Sequence, residues 1–298
     1  MRAAFRTLRR TGTQAWRATV SAGEQLFARV LPSRHAAFRT RRDYADHEER
    51  RARYDLVAPR SAQARSIVED LRRHGYHVIR GYWDRAKCEI ARAEVDRLLK
   101  EHPEFIHPGG KSDQRLFGAD ALSPLIAEFG NDPVFGEAAT LHNRMPTRLG
   151  MTLAARLPAS PNNLGSGEGW HRDQFFGATK AMLYLTDVSA ENGPFQLVDR
   201  SWDLEDVCRD IVDGGLAHMQ YRVSQEQVGR LLAAAPERLK TFDAPAGTVL
   251  LFNTSAIHRG KPIEAGIRYA LTNYYFTAEW SDEEIHAQFA PVATAPAQ

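Results

Sequence analysis

A chain of 298 residues is long enough for one large domain or two small ones. Hydrophobic residues make up 43% and charged residues 26%, a globular balance that excludes a wholly disordered or collagen-like chain, and no apolar run approaches the roughly 20 residues that span a bilayer. The net charge of +2 averages two unlike parts: residues 1–42 hold ten arginines and only Glu24 as an acid, +9 in all, which leaves −7 for the remainder.

An arginine-rich, acid-poor start suits a mitochondrial presequence, a surface-binding helix or a solvated arm. No secretory h-region with a small-residue cleavage site is evident, so the body reads as cytoplasmic. The two cysteines, Cys88 and Cys208, lie far apart without CxxC spacing, which excludes a disulfide framework and a cysteine-built zinc site.

Residues 13–31 set Trp16, Val20, Phe27 and Leu31 near helical spacing. Pro32 interrupts that pattern, and 35–56 predicts a second helix, so dense in charge that it reads as largely solvated. Ser61 is placed to cap a helix with Ile67, Val68 and Leu71 on its apolar face and Gly75 as its stop. A β-like run (YHVIRGY) follows, then a helix capped by Asp84 that carries Ile90, Val95, Leu98 and Leu99. Ser123-Pro124 and Asp132-Pro133 are N-cap-plus-N1 signatures of two short helices.

Past Arg148 the period becomes alternating or continuously apolar. It predicts strands over 147–157, 178–188, 194–198, 247–253 and 267–276, interrupted by a polar, helix-leaning stretch at 202–238 with a capping box at Ser224 and Gln227. Without regular βα alternation this argues for a β-sandwich or jelly roll rather than a Rossmann sheet. The predicted organisation is a basic helical extension at 1–58, one domain at 59–290 and a frayed tail at 291–298.

Eleven histidines invite a metal hypothesis. With 37 acids in the chain, chance gives roughly one His-x-Asp/Glu pair; three occur, His47 with Glu49, His102 with Glu104 and His171 with Asp173. Residues i and i+2 point about 200° apart on a helix but to one side on a strand. Only His171 and Asp173 follow a Gly/Ser/Asn-rich loop (PNNLGSGEGW) into β-rich sequence, so that pair could chelate. A second imidazole must come from elsewhere in the sheet, and His258 ends the strand-like run TVLLFNTSAIH. Two imidazoles and one carboxylate leave up to three octahedral positions open, which suits non-haem Fe(II) that binds a cosubstrate and O₂. Further on, Arg268 opens the run IRYALTNYY, in which Arg268, Ala270, Thr272 and Tyr274 share one face. An inward guanidinium is costly unless it meets an anion in bidentate fashion. The terminal carboxylate of 2-oxoglutarate is a natural candidate.

The segments WHRD, ENGPFQLVDRSW and LLFNTSAIHRGKPIEAGIRYALTNYYF, in that order, resemble the phytanoyl-CoA dioxygenase-like family of Fe(II)/2-oxoglutarate-dependent oxygenases. The resemblance covers approximately residues 65–280. It implies an α+β fold, a double-stranded β-helix (jelly-roll, cupin-like) core with flanking N-terminal helices. It also implies an iron triad of His171, Asp173 and His258, a cosubstrate arginine in Arg268, and Fe(II), 2-oxoglutarate and O₂ as reactants. The implied activity is hydroxylation of a small organic molecule with decarboxylation of 2-oxoglutarate to succinate. Halogenases of similar architecture lack the carboxylate, so the presence of Asp173 favours hydroxylation. One departure is VDRSW, where the family often ends Pro-Gly-Ser-His: Trp202 stands in place of that histidine.

Trp170, Arg172, Gln174 and Lys180 flank the proposed iron and are candidates for substrate contact, with solvent-facing strand-end side chains as the plainer reading. Thr152 is a candidate hydrogen-bond partner of the cosubstrate. Arg144, Arg148 and Lys180 hint at an anionic substrate, though surface charge explains them as simply. The GSGEG stretch at 165–169 lacks the Lys-Ser/Thr of a P-loop and reads as a lip that, with 202–238, lids the site. The alternative from another class is a catalytically silent jelly-roll binding or regulatory protein. A cupin-like metal isomerase or hydrolase leaves Arg268 without a purpose. The basic arm offers phosphate affinity without specificity, so a small-molecule substrate is the expected partner, with no specific nucleic acid and an anionic surface as the arm's possible contact.

Overall fold

The computed structural model describes residues 24–56, 61–107, 113–176 and 179–288. The expectations for 13–23 and for the C-terminal tail fall outside them. Nine strands form two antiparallel sheets among the described residues. They are β1 (Tyr76–Ile79), β2 (Gln114–Leu116), β3 (Thr147–Pro158), β4 (Thr179–Tyr184), β5 (Phe195–Val198), β6 (Leu239–Phe242), β7 (Val249–Asn253), β8 (His258–Gly260) and β9 (Ile267–Thr277). The larger sheet runs β1-β7-β4-β9-β3-β2 and the smaller β6-β5-β8. This is the double-stranded β-helix of a jelly roll, in a mixed helix-and-sheet chain.

Alternation along each strand divides the side chains between two cores. Ala181 and Leu183 of β4, Val249 and Leu251 of β7, and Tyr269 and Leu271 of β9 join the cluster under the helical layer. Met182 and Tyr184, Leu250 and Phe252, and Ala270 face inward against Phe195, Leu197 and Phe242 of the smaller sheet. A bulge between Leu149 and Met151 resets the register of β3 against β9.

The outer layer is helical: α1 (Pro32–Arg51), α2 (Ala62–His74), α3 (Arg85–Glu101), α4 (Ala119–Leu122), α5 (Pro124–Gly130) and α6 (Pro133–Asn143), with α7 (Leu204–Val212), α8 (Gln225–Ala234) and α9 (Asp282–Gln288) later in the chain. Ser61 caps α2 by accepting from the Ala64 N–H, Asp84 caps α3 through Lys87 and Asp132 caps α6 through Val134. Ser123 precedes α5 without a side-chain cap. The Ser224–Gln227 capping box is present. Gly75 ends α2 at φ +75°, and a Cβ there would stand 2.4 Å from the ring of Trp202, so the tryptophan packs where only glycine leaves room.

Two expectations change. Ile90 is 63% exposed, because the buried stripe of α3 is set by Cys88, Ala91, Val95 and Leu98, and residue 90 falls between its turns. The helix expected to be largely solvated instead docks: α1 starts at Pro32, which takes the N1 position, and buries Ala37, Thr40 and His47. Arg41 makes a bidentate pair with Glu205 of α7 at 2.5 and 2.6 Å, and Thr40 Oγ1 lies 3.0 Å from His218 Nδ1. The stripe at 37, 40, 44 and 47 holds an alanine, a threonine, a tyrosine and a histidine, so hydropathy alone conceals it.

Candidate functional site

The segment after the glycine-rich loop and strand β8 are joined by a single antiparallel bridge. The His171 N–H donates to the His258 carbonyl at 2.9 Å and the His258 N–H donates back at 2.8 Å. The two rings stand 4.4 Å apart. The Asp173 N–H donates to the Thr254 carbonyl at 3.1 Å, which brings its carboxylate to the same side. His171, Asp173 and His258 thereby place three donor atoms within 4.8 Å of one another, with His171 Nε2 3.8 Å from Asp173 Oδ1 and His258 Nε2 3.5 Å from Oδ2.

Each imidazole is oriented by the carbonyl two residues before it. His171 Nδ1 lies 2.8 Å from the Gly169 oxygen and His258 Nδ1 lies 2.9 Å from the Ala256 oxygen. A carbonyl only accepts, so each Nδ1 carries the proton and each Nε2 presents its lone pair. Burial, then the neighbouring His171, pushes His258 down to about 3; burial lowers His171 as well. Burial opposes ionisation of Asp173, but Lys180, His258 and His171 outweigh it and hold the carboxyl well below the usual carboxylate range. Two neutral imidazoles and one carboxylate are the donor set a divalent transition metal requires.

Lys180 of β4 forms an ion pair with Asp173 Oδ2 at 2.9 Å, poorly aligned for a hydrogen bond, and lies 3.8 Å above the Tyr274 ring. Burial alone would lower the lysine; Asp173 and Tyr274 reverse this and raise it. These groups line a cavity of about 190 Å³.

Arg268 lines the same cavity and is 2% exposed, yet its Nε and Nη1 have no hydrogen-bond partner. Gly260 makes room for it, since a Cβ there would lie 3.1 Å from Nη2. The predicted face of β9 holds: Arg268, Ala270, Thr272 and Tyr274 all line the cavity. A buried guanidinium with free N–H groups calls for an anion.

The sequence pattern of the phytanoyl-CoA dioxygenase (PhyH) family matches residues 71–268. The chain belongs to the phytanoyl-CoA dioxygenase family. Its general activity is that of a non-haem-iron, 2-oxoglutarate-dependent dioxygenase. The fold is shared with the epimerase SnoN, solved with Fe³⁺, alpha ketoglutarate and nogalamycin RO, at 19% identity and a TM-score of 0.55 over 73% of this chain and 84% of that one. EctD from S. alaskensis with bound Fe aligns at 18% identity and a TM-score of 0.55, over 76% of this chain and 80% of that one. The carbocyclase SnoK from nogalamycin biosynthesis gives 17% identity and a TM-score of 0.54, over 72% and 83%. No curated protein matches this chain.

Four predicted residues lie elsewhere in this PhyH member. Thr152 faces the helical side of β3, where its Oγ1 donates to Asn273 at 2.7 Å and its N–H donates to Asp120 at 2.7 Å; the inward face belongs to Leu153, Ala155 and Leu157. Trp170 donates to Gln225 at 3.0 Å and stacks under Arg259. Arg172 is 3% exposed and donates to the carbonyls of Ser201 and Ser255, fastening the metal segment to its neighbours. Gln174 is half-buried and does not line the cavity. All three alternate with His171 and Asp173, so the geometry that gathers the ligands turns them away. Lys180 alone of the four flanking candidates reaches the site.

Two charged cavity residues escape the sequence reading. Arg115 stands on the three-residue β2 and pairs with Asp113, its Nε at 2.7 Å. Arg222 comes from the 202–238 stretch and donates to the Gly167 carbonyl, tying the predicted lip to the predicted lid. The lip is further held by the Gly260 N–H, which donates to Ser166 at 3.0 Å. Neither arginine sits in a run long enough to show a period.

Proposed function

We propose that this dioxygenase hydroxylates a small organic molecule, with Fe(II) held by His171, Asp173 and His258 and 2-oxoglutarate anchored by Arg268. The observation that carries the reading is the buried Arg268, whose Nε and Nη1 have no partner, in the cavity that also holds the three donors. A dicarboxylate supplies the acceptors it lacks. Bound there, iron with 2-oxoglutarate and O₂ supplies oxidation of a C–H bond, with release of succinate and CO₂.

The protein's own part is positional. Arg268 binds and orients the distal carboxylate in bidentate geometry. The backbone bridge and the two Nδ1–H bonds fix the imidazoles before any metal arrives. Lys180 holds Asp173 ionised and limits its rotation. Leu153, Met182, Phe195 and Phe252 wall the cavity with apolar surface that excludes water. Asp173 would supply the carboxylate ligand that halogenases of similar architecture lack, which favours hydroxylation.

SnoN is an epimerase and SnoK a carbocyclase, so product identity is the part of the reading to test. A screen of acyl-CoA, amino-acid and glycan or lipid panels for succinate release, followed by mass analysis of the product, decides it. A product one oxygen heavier supports hydroxylation, and an isomer or a dehydrogenated product overturns it.

We read residues 59–290 as the catalytic domain and 1–58 as an extension seated on it through α1; the family match at 71–268 and the Arg41–Glu205 pair support that division. Among the described residues no helix is long and apolar enough to cross a membrane. Two free, buried cysteines support a reducing, cytoplasmic setting.

A further inference from the structure

A second cavity, of about 270 Å³, shares no lining residue with the first. It is lined by His47, Glu48 and Arg51 of α1, by Arg72 of α2 and by Arg144 at the end of α6, and aromatic rings with Asn253 and Ser255 close the rest. Three guanidiniums meet a single carboxylate there. Glu48 accepts from Arg51 at 2.8 Å and from Arg144 at 2.5 Å, which leaves the wall with a surplus of positive charge.

His47 is 1% exposed and stacks on Phe176 at 4.5 Å between centroids and 21° between planes. Its Nδ1 lies 3.2 Å from Arg50 Nη2. A guanidinium only donates, so Nδ1 accepts and the proton of the neutral ring sits on Nε2. That Nε2–H has no partner, and neither does the Nε–H of Arg51. Two buried donors without acceptors, both from residues on the wall of one cavity, cost free energy that a ligand with acceptor oxygens recovers. Arg144 adds to this from a left-handed backbone, φ +56°, a conformation uncommon for a side chain of its size.

We propose that this cavity binds a small organic oxyanion, a carboxylate or a phosphate monoester, with its charged head on His47, Arg51 and Arg144 and its apolar body against Phe176 and Trp202. His47 and Arg51 lie before residue 71, where the family match begins. The site is thus built jointly by this chain's extension and its catalytic domain, and a ligand in it ties α1 to that domain.

Calorimetric titration of full-length protein with phenyl phosphate and, separately, benzoate tests the site. The expected result is one saturable site for at least one probe, and the tighter of the two names the head group. Arg144→Asn removes the guanidinium and places a residue that tolerates the left-handed backbone; His47→Phe keeps an aromatic ring against Phe176 but removes Nε2–H. Each is expected to weaken binding about tenfold or more, as the loss of a hydrogen bond to a charged group does. Arg222→Gln, in the other cavity, is expected to leave it unchanged. No saturable binding of either probe, binding that survives both His47→Phe and Arg144→Asn, or binding lost only in Arg222→Gln overturns the proposal.

Discussion

Gly167 lies flat against the imidazole of His171: a Cβ at 167 would stand 2.1 Å from His171 Cε1, on a backbone at φ +84°. Gly169 shares the positive φ, +92°, but a Cβ there meets nothing within 4 Å. Alanine at either position carries a backbone cost of about 1 kcal/mol, and only at 167 must it also displace His171, a proposed metal ligand. Gly167→Ala is expected to weaken metal binding at least about tenfold, whereas Gly169→Ala stays within about threefold. Parallel titrations of the two variants check this difference.

Arg268 presents a converse case. Its free N–H groups are buried, so replacing it removes a burden from the ligand-free protein and a partner from the bound one. Arg268→Gln is expected to leave the melting temperature of the unliganded protein unchanged or higher. The same variant loses the stabilisation that 2-oxoglutarate gives the wild type, with the cosubstrate KM raised roughly 10- to 100-fold, the worth of a charge-assisted pair. Thermal shift with and without 2-oxoglutarate reads the stability changes, and succinate release against 2-oxoglutarate concentration reads the KM.

Asp210 of α7 is 2% exposed and receives both terminal nitrogens of Arg238, at 2.7 and 2.8 Å. Asp210→Ala leaves that mostly buried guanidinium with the Asp199 carbonyl, 3.0 Å from its Nε, as its remaining acceptor. The expected loss is about 3 to 5 kcal/mol of folding stability, seen in urea unfolding as a lower midpoint at unchanged slope.

Burial, then Arg51 and Arg50, pushes His47 from 6.5 down to about 4. The unfolded chain therefore takes up a proton below about pH 6.5 that the folded protein refuses until about pH 4. Stability from this group is fully present above pH 6.5 and falls as the pH drops through that window. His47→Phe is expected to flatten the decline between pH 6.5 and 4 relative to wild type, measured by denaturant unfolding at several pH values.

Much of the site is legible in the chain because strand parity is a strong constraint. One side of a β-run must carry both His171 and Asp173, and the face that opens with Arg268 must also carry Ala270, Thr272 and Tyr274. The same parity, applied to the neighbours, excludes Trp170 and Arg172 as cavity groups, a step that proximity in sequence obscures. Thr152 shows where parity itself is hidden: Leu153, Ala154 and Ala155 are all apolar, and only the bulge before Met151 fixes which face each takes. Arg115 and Arg222 come from a three-residue strand and a loop, too short for any period. The seat of α1 is hidden for another reason, since amphipathic side chains such as Tyr44 and His47 bury their bodies without registering as hydrophobic.

The central claim is that His171, Asp173, His258 and Arg268 form one iron and 2-oxoglutarate site. Anaerobic titration of the full-length protein with Fe(II) and then 2-oxoglutarate, followed by visible absorbance, tests it most directly. Wild type is expected to develop a saturable absorption band that requires both additions, absent from His258→Ala and shifted to higher 2-oxoglutarate in Arg268→Gln. A wild type that develops no band, or a band that persists unchanged in His258→Ala, contradicts the account.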